Sequence, residues 1–283
     1  MRQTIFLKRF LLLILLLNPL FMFGQGKSEV TLATYNLRLN IASDGVNAWP
    51  NRKEWVMGLI QYHGFDIFGV QEALYDQMMD LDSIPGFDYV GAGRDDGKHG
   101  GEYSAIFYNT KKYSVIKTGT FWLSPTPEKP SKGWDAAYPR VCTWAYFKEI
   151  SSGKSFFMFN THFDHISEKA RENSAKLILE KIEELVSGNI PVVVTGDFNS
   201  SPETKAYGTI TERFNDAKLI SKTKPYGPNG TFNAFKYNDP IKERIDFVFV
   251  NSLFDVLKYG VLTDTQEQRF PSDHFPVVCK LSF

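Results

Sequence analysis

Short apolar runs that carry polar residues at their ends recur along the chain. Runs of four to eight apolar residues, bounded by turn residues, are typical of buried strands. Binding and catalytic residues often lie at strand ends, because the rigid sheet holds the connecting loops in position. Five such segments lie at 31–36, 66–72, 156–164, 191–200 and 243–250. A sixth, at 271–278, places Asp273 and His274 before its apolar run.

The same patterning predicts many strands and few helices. Helix 167–187 is the clearest, because Ala170, Ile178, Ile182 and Leu185 recur at helical spacing and Gly188 follows as a cap. Further helices are expected at 51–63 and 74–82. Strands are expected at 30–35, 66–72, 103–108, 113–121, 140–148, 156–161, 191–195, 244–250, 255–262 and 276–282. This content favours two packed sheets with helices outside.

The first 26 residues differ from the rest of the chain. Arg2, Lys8 and Arg9 precede an apolar run over 10–23, which is short for a membrane span. We therefore expect a signal peptide at 1–26, with an uncleaved membrane anchor as the alternative. Residues 27–283 contain no linker or repeat and are expected to form one domain. The expected location is secreted or periplasmic.

The charge and the cysteine content of the chain limit the classes of protein to which it could belong. The 283-residue chain has a formal net charge of zero, and residues 27–283 hold 29 basic and 32 acidic residues, a net charge of −3. A protein that binds long nucleic acid usually has a basic surface, which this composition does not supply. Cys142 and Cys279 both lie in apolar runs. This favours buried free thiols over a disulfide.

The polar residues follow one another in a specific order. They are Asn36, Gln71-Glu72, His162, Gly196-Asp197-Phe198-Asn199 and Ser272-Asp273-His274. From about residue 30 to 283, the chain resembles the endonuclease/exonuclease/phosphatase family, which includes DNase I. The resemblance implies an α+β fold, the DNase I-like four-layer α/β/β/α sandwich of two mainly antiparallel sheets flanked by helices.

The resemblance also implies a cofactor, Mg²⁺ or Mn²⁺. A hard cation prefers oxygen ligands and keeps some of its waters. Glu72 is the expected direct ligand, because a carboxylate at the end of a buried strand is costly without a partner or a metal. Asn36 and Asp273 are expected to complete the metal shell, partly through water.

Four further residues are expected to carry the chemistry. In the family, His274 and Asp246 would form an acid–imidazole pair that holds the ring in one tautomer. Asp197 would orient and deprotonate the attacking water, and Asn199 would bind phosphate. The division of labour between Asp197 and His274 stays open at this point.

A second histidine is expected across the site. His162 would donate to a phosphate oxygen, with Glu102 as its acidic partner in the DNase I-like pattern. Asp164 follows two residues later and would support the site. His63 and His99 lack such a context, and His165 is left unassigned.

Substrate recognition is expected from arginines and from an aromatic loop. Guanidinium groups match phosphate oxygens, so Arg94, Arg140 and Arg171 are candidate clamps, with surface salt bridges as the alternative. Trp122 and Trp134 belong to a loop over 121–140 that would contact a base, a sugar or a lipid. The alternative is that these aromatic rings only cover one end of the sandwich.

The favoured function is a secreted, metal-dependent hydrolase of a phosphodiester. Arg38 stands where abasic-site endonucleases have an acid two residues after Asn36, which argues against DNA repair. The expected substrate is nucleic acid, a lipid headgroup or a small phosphate ester, and a scavenging nuclease ranks ahead of a sphingomyelinase-like or a sugar- or inositol-phosphate enzyme. A binding module is less favoured, and so is a two-carboxylate glycosidase, which has no role for two histidines. No protein partner is indicated, and a monomer is expected.

Overall fold

The computed structural model describes residues 26–283. The predicted signal peptide lies outside the described residues except for Gly26. The helices are α1 (Lys53–Tyr62), α2 (Tyr75–Asp82), α3 (Glu168–Leu185) and α4 (Lys205–Thr211), with short 3₁₀ turns at Ala42–Asn47 and Trp49–Asn51. The strands are β1 (Glu29–Asn36), β2 (Ile67–Gln71), β3 (Phe87–Val90), β4 (Ile106–Asn109), β5 (Tyr113–Trp122), β6 (Val141–Glu149), β7 (Ser155–His162), β8 (Val192–Asp197), β9 (Asn215–Asp216), β10 (Asp246–Val250), β11 (Asp255–Val261) and β12 (Val277–Ser282).

The strands form two six-stranded sheets. The first has the order β11-β12-β1-β2-β4-β3, and the second has the order β5-β6-β7-β8-β10-β9. Strand β1 is parallel to β2, and β7 is parallel to β8. The other neighbours are antiparallel. The predicted α+β sandwich of two mainly antiparallel sheets is therefore confirmed.

Three apolar layers hold the sheets and helices together. Leu32 of β1 and Val193 of β8 face the central layer between the sheets. Their neighbours Ala33 and Val194 face outward, because successive strand side chains point to opposite faces. Helices α1 and α2 cover the first sheet, and α3 and α4 cover the second. Each fully buried large apolar side chain contributes about 1.5–3 kcal/mol to the burial term.

One polar side chain crosses the apolar layer between the sheets. Asn160 of β7 donates from Nδ2 to the carbonyl oxygens of Val70 and Ala105, each at 2.9 Å. Its Oδ1 accepts from Gln71 Nε2 at 2.7 Å and from Thr195 Oγ1 at 3.0 Å. Asn160 is fully buried. The three bonds with Val70, Gln71 and Ala105 join the first sheet to the second next to the strand ends that carry Asn36 and His162.

A glycine makes room for this side chain. A Cβ atom on Gly69 of β2 would lie 2.2 Å from Asn160 Oδ1, far inside a van der Waals contact. Gly196 has the same role within the second sheet, since its φ is 151° and a Cβ there would lie 2.1 Å from the Thr161 carbonyl oxygen. Both glycines are therefore required by close approach of the chain.

The structure adds short elements that the patterning did not predict. Strands β3 and β9 and helix α4 are too short to show a clear hydrophobic period. The strand predicted at 103–108 begins only at Ile106. Tyr103 instead forms isolated bridges to Ala73 and Gly93, which tie the loop before β4 to the strand end at Glu72.

Two further expectations concern the cysteines and the membrane. Cys142 and Cys279 are both buried and unpaired, in different apolar layers. Over residues 26–283, no helix has the length and hydropathy to cross a membrane.

The bonds of Asn160 yield a prediction about stability. Asn160→Leu keeps the branching of the side chain but removes four buried hydrogen bonds, three of which join the two sheets. We expect the free energy of unfolding to fall by about 4 kcal/mol, because each such bond contributes about 1 kcal/mol net. Urea denaturation measures this change. Asn238→Leu, at an exposed position, is the control, and equal stability of the two variants would contradict the role of Asn160.

Candidate active site

Sheet topology brings the predicted polar residues to one edge of the sandwich. In the parallel pair β1 and β2, Asn36 lies beside Gln71, and in the pair β7 and β8, His162 lies beside Asp197. Antiparallel pairing places Asp246 opposite Asp197. The edge holds a cleft of about 550 Å³. The predicted residues that line it are Glu72, Arg94, Glu102, Arg140, His162, Asp197, Asn199, Asp273 and His274.

Glu72 is held in place by groups of the first sheet. Asn36 Nδ2 donates to Glu72 Oε1 at 3.1 Å, and the backbone N–H of Leu39 donates to Oε2 at 3.1 Å. The φ of Glu72 is 64°, in the left-handed region, which costs about 1–3 kcal/mol and is typical of functional positions. Asn36 Oδ1 accepts from the Arg38 N–H, so this residue positions Glu72 through its amide nitrogen.

Asp197 lies at the centre of the cleft. Its Oδ2 accepts from Asn36 Nδ2 at 2.9 Å, and lies 3.5 Å from His162 Nε2 and 3.8 Å from His274 Nε2. Burial and the neighbouring Asp246 carboxylate raise the pKa of Asp197 to about 7. Asp197 therefore accepts a hydrogen bond from the first sheet and lies close to both histidines.

The predicted pair of His274 and Asp246 is present. His274 Nδ1 lies 2.9 Å from Asp246 Oδ2, and both residues are buried. Burial alone lowers the pKa of His274, but the charges of Asp246 and Asp197 outweigh it and raise the pKa well above its ordinary value. His274 therefore keeps a proton on Nδ1 for Asp246 and presents Nε2 to the cleft.

The second histidine has different neighbours from those expected. Asn199 Nδ2 donates to His162 Nε2 at 3.1 Å, so the ring proton sits on Nδ1. Nδ1 lies 3.7 Å from Glu102 Oε2, beyond a hydrogen bond, and Glu102 instead pairs with Arg94 at 2.6 Å. Burial, with arginines nearby, holds the pKa of His162 well below its ordinary value. His162 is thus a neutral ring whose two nitrogens already face protein groups.

Two buried arginines form the opposite side of the cleft. Arg94 and Arg140 flank Glu102, with Arg140 Nη1 4.0 Å from Glu102 Oε2. Burial and the charge of Arg94 lower the pKa of Arg140. Asp164 lies 3.6 Å from Arg140 Nε and accepts from the backbone N–H of Ala137, so it supports this side from behind the cleft.

The structure does not bring the two tryptophans or the third arginine into the cleft. Trp122 is buried, and its Nε1 donates to the Arg94 carbonyl oxygen at 2.7 Å. Trp134 packs at the edge of the layer between the second sheet and α3. Arg171 donates to the Asp164 carbonyl oxygen. Packing directs the rings of Trp122 and Trp134 away from the cleft. Their contacts instead stabilise the loop over 121–140.

Several residues that line the cleft were not predicted as site residues. They are Arg38, Leu39, Tyr138, His165, Phe232, Glu243 and Ile245. Tyr138 and His165 lie within two residues of Arg140 and Asp164, so adjacency to those candidates was the available signal. Phe232, whose ring centroid lies 5.0 Å from that of His274, comes from a long irregular segment with no such signal.

Comparison with known proteins identifies the family. Residues 33–274 match the model of the endonuclease/exonuclease/phosphatase family. The chain belongs to this family. Its members are hydrolases that act on phosphoester bonds.

Relatives of known structure cover almost all of the chain. A mannosyl-6-phosphatase from Bacteroides thetaiotaomicron is 45% identical, with a TM-score of 0.86 over 90% of this chain and 100% of that chain. A second family protein of the same organism is also 45% identical, with a TM-score of 0.88 over 91% of this chain and 99% of that one. Human Nocturnin is 27% identical over 201 residues, which are 65% of this chain and 45% of Nocturnin.

The acidic side of the cleft fits a divalent cation. Carboxylate oxygens of Glu72 and Asp197 lie within 4.8 Å of each other and of a ring nitrogen of His274, and the carboxylates are the groups that would hold the ion. Burial raises the pKa of Asp273 to about 6, and Glu72 contributes to this rise. Crowded buried carboxylates of this kind indicate a place for a cation, and oxygen-rich donors suit Mg²⁺ or Mn²⁺.

This fit yields a prediction about metal binding. Glu72→Ala should weaken Mn²⁺ binding at least about 100-fold, since one carboxylate ligand is lost while its neighbours remain. Calorimetric titration of the protein with Mn²⁺ measures the change, and urea denaturation checks that the fold survives. Glu212→Ala, at an exposed position after α4, is the control. Unchanged Mn²⁺ affinity in Glu72→Ala would contradict the assignment.

Proposed function

We propose that this protein is a divalent-metal-dependent phosphatase that removes the phosphate from a phosphorylated sugar. The observation that carries the proposal is Arg140. Its guanidinium is buried at the cleft. Nε faces Asp164 behind the cleft, and Nη1 has no hydrogen-bond partner among residues 26–283. Buried N–H groups without an acceptor are costly, and a phosphate offers oxygens that match a guanidinium.

The two sides of the cleft divide the work on the substrate. Phosphate oxygens would lie on Arg140 and Arg94, and His274 Nε2 would donate to an oxygen from the other side. Asp197 would accept the proton of the water whose oxygen attacks phosphorus. The bond from phosphorus to the sugar oxygen breaks, and that oxygen takes a proton from solvent water and leaves as the sugar hydroxyl. A divalent ion held by Glu72, with Asp273 beside it, would neutralise charge on the phosphoryl group.

The alcohol side of the substrate is the finer part of the proposal. A compact cleft with acidic residues at one side suits a small ester better than a long polyanion, and residues 27–283 carry a net charge of −3. The tryptophans that would stack nucleobases lie outside the cleft. Similarity to the mannosyl-6-phosphatase supports a phosphorylated hexose, free or at the end of a glycan.

A phosphodiester substrate, which the motifs by themselves favoured, is the less supported version. A monoester dianion presents more terminal oxygens and more charge than a diester, and two arginines with an additional histidine donor match that demand better. The similarity to Nocturnin is lower, and the chain spans less than half of that protein.

A substrate panel tests the proposal directly. With Mg²⁺ or Mn²⁺, we expect phosphate release from mannose 6-phosphate or another hexose phosphate, and loss of release with EDTA, because the acidic side then lacks its cation. Bis(p-nitrophenyl) phosphate, plasmid DNA, RNA and sphingomyelin are the diester arms. Metal-dependent cleavage of a diester with no cleavage of any monoester would refute the proposal.

A pair of variants connects the panel to the cleft. Arg140→Ala should lower kcat/KM on the monoester about 100-fold, because the charged donor to the phosphate is lost at about 1.5–3 kcal/mol. Arg213→Ala, which removes an exposed surface ion pair with Glu183, is the control. Equal rates in the two variants would exclude Arg140 from phosphate binding.

We also propose that the protein acts outside the cytoplasm as a monomer. Support comes from the basic and then apolar composition of residues 1–26. Expression of the full chain in a bacterial host should yield a mature form. Its intact mass should correspond to a chain that begins near residues 24–26. A full-length mass in the membrane fraction would instead support an uncleaved anchor.

A further inference from the structure

Five cleft residues contact one another in a closed ring: Arg94, Glu102, Arg140, His165 and Tyr138. Arg94 pairs with Glu102, and Arg140 lies on the other side of that carboxylate. Arg140 Nη2 donates to His165 Nδ1 at 3.0 Å. The His165 ring stacks on Tyr138 at 6.2 Å and 17°, and Tyr138 lies 5.1 Å from the Arg94 guanidinium. We call Tyr138 and His165 the outer wall of the cleft.

Tyr138 is exposed in a way that packing does not explain. Tyr138 is 53% exposed, although its ring lies against the buried guanidinium of Arg94 at the cleft. Aromatic side chains normally gain their stabilising effect by burial. A ring that contacts a guanidinium and stays more than half exposed is a ready surface for the apolar face of a ligand.

His165 offers a donor on the same wall. Because a guanidinium only donates, His165 Nδ1 must accept, and the ring proton therefore sits on Nε2. Burial and the charge of Arg140 lower the pKa of His165, which keeps the ring neutral. Within residues 26–283, the one side-chain hydrogen bond of His165 is through Nδ1, and the residue is exposed, so the Nε2 N–H is available to a ligand hydroxyl.

We infer that the outer wall recognises the sugar part of the substrate. The apolar face of a hexose ring stacks on Tyr138, and a sugar hydroxyl accepts from His165 Nε2, while the phosphate lies on Arg140 and Arg94. Tyr138 and His165 are then specificity-determining residues that contact the leaving group. This inference rests on the proposed function, since it assigns the contacts of the sugar in that same cleft.

The competing explanation is that the outer wall only positions the arginines. Inorganic phosphate separates the two, because it binds the arginine side and has no sugar to contact the wall. The relevant quantity is KM for mannose 6-phosphate divided by the inhibition constant of inorganic phosphate. A residue that contacts the sugar raises this ratio, whereas a residue that only positions arginines raises both constants together.

The test compares Tyr138→Ala and His165→Asn with the wild type. Tyr138→Ala should raise the ratio about tenfold, as expected for loss of one aromatic face, equivalent to about 1.4 kcal/mol. His165→Asn keeps an acceptor for Arg140 but removes the Nε2 donor, and should raise the ratio about fivefold. Tyr62→Ala is the control, because Tyr62 is 83% exposed on α1 and does not line this cleft.

The outcomes test the phosphatase activity and the sugar contacts of the outer wall separately. If the wild type releases no phosphate from any hexose phosphate, the proposed function fails before the variants are compared. If the wild type is active and both variants leave the ratio unchanged, the outer wall does not contact the sugar and the inference is overturned. Thermal unfolding checks both variants, and His165→Asn decides the question if Tyr138→Ala does not fold.

Discussion

The buried amide of Asn160 is the interaction on which the rest of the site depends. The cleft lies where two sheets meet, with Glu72 and Asp273 supplied by the first sheet and His162, Asp197 and Asp246 by the second. Apolar packing between sheets is non-directional and permits small shifts. Directed hydrogen bonds from Asn160 to Val70 and Ala105 specify one placement. This placement requires a glycine at Gly69, because no larger residue fits there.

Charge in the cleft is partly separated. Glu72, Asp197 and Asp273 crowd one side, where Arg38 lies 3.9 Å from Asp273, and on the other side Arg94 and Arg140 share the single carboxylate of Glu102. Each side is unfavourable by itself in a buried setting, since like charges repel and buried N–H groups lack acceptors. A cation on one side and a phosphate on the other relieve both problems together. Left-handed backbone at Glu72 and Asn199 adds strain that the surrounding bonds sustain.

Much of the fold was predictable, because long strands and helices have a strong hydrophobic period. Strand β8 and helix α3 are examples, and their end residues follow the predicted bounds within a few positions. Helix α4 and strands β3 and β9 were missed, since two to seven residues carry too little periodicity. The aromatic loop was left with two interpretations for another reason: composition indicates that Trp122 and Trp134 are large and flat, but only packing decides which way a ring points.

The sequence by itself determined the family, the two-sheet sandwich and the set of acids and histidines available for catalysis, because these follow from local pattern and from the order of motifs. Only the tertiary structure decided how those groups are used. It placed Asn36 as a support for Glu72, paired Glu102 with Arg94 rather than with His162, and set Tyr138 and His165 beside Arg140. Such contacts join residues from different loops and sheets, and their distances depend on how whole layers pack.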